Sequence, residues 1–91
     1  ATDWNPGSAP MGDLITQAAI LGASEKLTIA ETLAGITFRA ARALRIEEGI
    51  LRKGDEAAFT VFETDDFRNI FYQQGQLKPS ATIIGGDSFE F

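Results

Sequence analysis

LTIAETLAGITFRAARALRIEEGILRKGDEAAFTVF (residues 27–62) changes period in its middle, and the change sets the fold class. In the first half Ile29, Leu33, Ile36, Ala40 and Leu44 recur at three- and four-residue steps, the single apolar stripe of an amphipathic helix. Thr28 followed by Glu31 forms a capping box, in which hydroxyl and carboxylate satisfy amides that would otherwise lack partners at a helix start. The helix therefore begins at Thr28. It runs to Leu44 or Arg45, and Arg39, Arg42 and Arg45 gather near the end where the helix dipole favours positive charge. After Glu47-Glu48-Gly49 the pattern is different: Gly49 and Gly54-Asp55 are turn signals, and Ala57 to Phe62 reads as a β-strand in a short hairpin-like unit.

Upstream, Met11 to about Ala23 repeats small and apolar residues (Leu14, Ala18, Leu21; Ile15, Ala19) at helical spacing, with Asp13 placed in the first turn. The opening TDWNPGSAP, residues 2–10, has two prolines, a glycine and an Asn-Pro step, and is a loop. Downstream, Asp65 or Asp66 caps a short helix carrying Phe67, Ile70 and Phe71, with Gly75 as its stop. Thr82-Ile83-Ile84, Gly85-Gly86-Asp87 and Phe89-Glu90-Phe91 then read as two strands around a turn. The expected architecture is α+β: two main helices plus a small antiparallel β-sheet. There is no internal repeat.

Composition narrows the function. Ninety-one residues suffice for one small domain, and 44% apolar with 23% charged residues is ordinary for a folded chain. Thirteen acids against eight scattered bases give a net charge of −5, which argues against nucleic acid as a partner. No apolar run approaches the ~20 residues that span a bilayer, and no secretion signal is recognisable. The absence of cysteine fits a reducing compartment, so the expected location is cytoplasmic. Ala1 is followed at once by loop, and the only methionine is Met11, so the chain reads as part of a longer protein.

Histidine and cysteine are both missing, which removes the commonest general base, the commonest zinc ligand and the thiolate nucleophile together. The densest polar cluster left is Asp3, Asn5 and Ser8 with Gly7, in the opening loop. Pro6 restricts the backbone there and Gly7 allows close approach of a ligand. Taken alone, such a loop is more often only turn chemistry.

TDWNPGS, residues 2–8, resembles the Thr-Asp-x-Asn-Pro-Gly-Ser signature that imidazolonepropionases carry after the last strand of a (β/α)8 barrel. LTIAETLAGITFRAARAL and GILRKGDEAAFTVF resemble the stretch by which amidohydrolases leave the barrel and enter a small β-domain. The resemblance covers most of the chain. It implies that residues 1–91 are a single C-terminal, amidohydrolase-like piece, with the last barrel loop and helices in 1–46 and a portion of the β-domain in 47–91. It implies Asp3 as the metal-ligand and catalytic aspartate, with zinc or iron as the metal of the parent enzyme. Asn5 and Gly7 would contact the formimino-glutamate product and Ser8 the imidazolone substrate, a small molecule. The implied reaction is hydrolysis of the ring amide of 4-imidazolone-5-propanoate to N-formimino-L-glutamate, in histidine degradation. The histidine ligands would lie upstream, so no bound metal and no activity are expected of this chain alone. One departure is Ala57-Ala58-Phe59, where the family usually has Ala-Asp before the strand.

Other features have plainer readings. Three arginines at a helix end are more often a solvated face than an anion site, and Trp4, Phe67, Phe71 and Tyr72 more often pack than line a pocket. Glu47-Glu48 and Asp65-Asp66 are adjacent pairs whose side chains diverge, and turn or cap roles suffice for them. The competing reading is a small stand-alone α+β domain that mediates protein association through unpaired strands and apolar helix faces. Either way Leu14, Leu21, Leu33, Ile36, Phe59, Val61, Ile83 and Phe89 need a partner, and self-association of the chain is expected.

Overall fold

A computed structural model describes residues 2, 5–7, 12–73 and 76–90. The chain divides into two compact units, residues 1–49 and 50–91.

The first unit is helical. Helix α1 spans Leu14–Ser24 and starts one residue after Asp13, whose carboxylate accepts bonds from the Ile15 amide at 3.1 Å and the Thr16 hydroxyl at 2.7 Å. Asp13 is thus the N-cap rather than a first-turn residue. Of the expected helix, Met11 lies outside the described residues. At the other end Lys26 turns to φ 56°, so that the Leu27 amide reaches the Gly22 carbonyl at 2.8 Å and the Lys26 amide reaches Ala23 at 3.3 Å. These two bonds are a Schellman closure.

Helix α2, Ile29–Gly35, opens on the capping box read from the sequence: Glu31 N donates to Thr28 Oγ1 at 3.1 Å, and Thr28 N donates to Glu31 Oε1 at 3.0 Å. The single helix expected from Thr28 to Leu44 is broken. It stops at Ile36 and restarts as α3, Phe38–Ala43. Gly35 and the β-branched Ile36 and Thr37 are weak helix formers in succession, and the Thr37 hydroxyl donates to the Leu33 carbonyl at 2.7 Å. The Ile36 and Thr37 amides tighten to three-residue steps, onto Leu33 and Ala34. Helix α3 ends as α1 does, with Arg45 at φ 58° and the Ile46 amide on the Ala41 carbonyl at 3.0 Å. The Arg39 and Arg42 guanidinium carbons stand 5.9 and 5.2 Å from the centre of the Phe38 ring, within cation–π range. Gly49, at φ 78°, brings the chain back against the junction of α2 and α3; a β-carbon there would stand 2.7 Å from the Thr37 carbonyl carbon.

What these helices bury is small. Thr16, Ala19 and Gly22 on α1, Thr32 and Ala34 on α2 and Ala41 on α3 are buried, whereas Leu21 remains 58% exposed and Leu44 73%. Gly22 is the closest approach, because a β-carbon at that position would collide with the Thr32 side chain.

The second unit is an antiparallel sheet in the order β1-β2-β3, formed by β1 (Ala58–Phe62), β2 (Pro79–Ile84) and β3 (Asp87–Glu90). The α+β class expected from the sequence is therefore observed. Gly85 and Gly86, at φ 59° and 89°, make the two-residue turn between β2 and β3, and two successive positive φ values match the right-handed twist of the flanking strands. Phe59 pairs with Ile83 and Val61 with Ala81, so these four share one face. Ser80 is the extra residue of a bulge opposite Val61 and Phe62, and its hydroxyl donates to the Val61 carbonyl at 3.2 Å. Between β1 and β2 lies α4, Asn69–Tyr72, which contributes the buried Phe71. Asp66 organises its approach, accepting the Arg68 amide at 3.0 Å and pairing with the Arg68 guanidinium. The expected stop, Gly75, lies outside the described residues.

Gly22→Ala tests the α1–α2 contact. The extra methyl should destabilise the chain by about 1–3 kcal/mol through overpacking, outweighing the up to ~1 kcal/mol that alanine gains in helix propensity. Thr32→Ala in the same chain should recover part of the loss. Denaturant unfolding of the single and double variants reads this directly, and additive effects would show that the two residues do not press on each other.

Candidate functional site

The opening loop holds the residues singled out for chemistry, and two of the four, Asp3 and Ser8, lie outside the described residues. Asn5 is half-buried, and its Oδ1 accepts the Gly7 amide at 2.9 Å. This two-residue step closes an Asx turn over Pro6. It is a close fit, since a β-carbon on Gly7 would stand 3.1 Å from that same oxygen.

Thr2, at the start of the loop, borders an open cleft of about 330 Å3 between α1 and α2. Leu14, Leu21, Leu27 and Ile36 give it apolar walls, and Glu31 stands among them. The sequence reading took Glu31 only as a cap residue. Its place on the cleft wall follows from the turn between α1 and α2, which pattern alone does not reveal. The Thr28 backbone amide, then the Thr28 hydroxyl, hold its carboxyl below its ordinary value of 4.5. Glu31 is therefore a fixed carboxylate and hydrogen-bond acceptor rather than a group poised to exchange protons near neutrality.

The described residues contain no cluster of three His, Cys, Asp or Glu side chains suited to a metal ion, and the sequence has no histidine or cysteine at all. The donors on this chain do not by themselves fit zinc or iron. Asp65 and Asp66 have separate roles: Asp66 is paired with Arg68, which lowers its carboxyl below the usual range, and Asp65 is exposed. Among the described residues no helix is long and apolar enough to cross a membrane.

Glu31 predicts a pH response. Its folded-state pKa is depressed, so the stabilisation it gives is present above the ordinary carboxylate range and is lost as pH falls through the lowered value. Stability of the wild-type chain should therefore drop more steeply below pH 4.5 than that of Glu31→Gln, which keeps an acceptor for the cap but does not titrate. Urea unfolding across acidic pH measures the difference, and parallel curves would remove Glu31 from the account.

No family model matches the chain, and no solved structure matches it. Curated proteins do. An imidazolonepropionase of Polaromonas sp. is 36% identical over 88 residues, covering 94% of this chain and 21% of that protein. The imidazolonepropionase of Solibacter usitatus is 34% identical over 90 residues with the same coverage, and that of Verminephrobacter eiseniae 37% over 86 residues, covering 92% of this chain and 19% of the relative. Over nearly its whole length, then, the chain is homologous to imidazolonepropionases, and it spans about a fifth of the length of the relatives it matches.

Proposed function

We propose that the chain is the C-terminal portion of a metal-dependent amidohydrolase that opens the ring of 4-imidazolone-5-propanoate to N-formimino-L-glutamate in histidine degradation. The observation that supports this best is similarity to imidazolonepropionases across 94% of the chain. It favours an enzyme part over a stand-alone association domain.

In this reading residues 1–46 end a (β/α)8 barrel, and residues 47–91 belong to its appended β-domain. Barrel enzymes place their chemistry on loops at the C-terminal ends of the strands, which is where a loop entering a helix such as α1 would lie. Asp3 would be the aspartate ligand of zinc or iron, and would orient the attacking water. When bound, the metal supplies the lowered pKa of that water. Asn5, held by its bond from the Gly7 amide, and Gly7 would contact the formimino-glutamate product, with Gly7 allowing the backbone to approach, and Ser8 would contact the imidazolone. The remaining ligands would come from the rest of the enzyme, whose setting is cytoplasmic.

One carboxylate does not hold a catalytic metal that needs three or more protein ligands, so the 91-residue chain alone should show no turnover of imidazolone propanoate above a metal-only control. In the complete enzyme Asp3→Ala should abolish turnover while leaving the fold intact by circular dichroism; a near-normal rate would remove Asp3 from the site. Asn5→Ala should cost about 1–3 kcal/mol in kcat/KM, the loss of one polar contact in a closed site. Unchanged kinetics would reduce the Asn5 turn to a structural role.

A further inference from the structure

We draw no further inference here: the strongest candidate, the apolar cleft between α1 and α2 walled by Leu14, Leu21, Leu27 and Ile36, is an unpartnered helix face, and nothing in the structure shows what covers it.

Discussion

Gly22 has room for a hydrogen and nothing more, because the Thr32 side chain stands where a β-carbon would go. The arrangement of α1 and α2 depends on that proximity. Thr32 can sit there because its hydroxyl returns to the Thr28 carbonyl at 3.0 Å, which satisfies that hydroxyl inside the contact. The same Thr28 caps α2 through its side chain, so one residue links the start of the helix to the contact that holds it. Close approach of this kind draws on dispersion between small groups rather than on the burial of large ones.

A consequence is that the large apolar side chains are left over. Ile20, Leu44 and Leu51 are each more than half exposed, while the buried set among the described residues of the first unit is alanine, threonine and glycine. Exposure on this scale exceeds what scattered surface leucines need, and it fits a chain homologous to about a fifth of larger enzymes. Part of that apolar surface, Leu14, Leu21 and Leu27, walls the cleft that Thr2 borders.

Legibility followed the range of the interactions concerned. The capping box of Thr28 and Glu31, the Asx turn of Asn5 and the Gly85-Gly86 hairpin are made by residues two to three apart, and their side-chain chemistry specifies them without help. The break at Ile36–Thr37 was not legible, because the apolar stripe from Ile29 to Leu44 runs straight across it. The stripe records which residues avoid water, whereas the break is decided by a hydroxyl competing for the Leu33 carbonyl. Hydrophobicity found the packed face of α1 only in part: its pattern of Leu14, Ile15, Ala18, Ala19 and Leu21 includes the buried Ala19, while the buried Thr16 and Gly22 become visible only with a neighbouring helix. In the candidate site the turn could be read, but the roles of its residues could not be read from composition, since no histidine or cysteine is present to mark a reaction class.

The turn between β2 and β3 allows two residues and no more, and its length carries more information than its letters. Asp87 pairs with Ile84, Ser88 with Ile83 and Phe89 with Thr82, so Phe89 lies on the face of Thr60 and Thr82 while Ser88 lies with Phe59. A single residue inserted at Gly85-Gly86 would slide β3 by one position and send Phe89 to the opposite side. Substitutions there change how readily the turn forms. An insertion would change which surface of the sheet is oily, so natural variation in this hairpin should be constrained in its spacing before it is constrained in its composition.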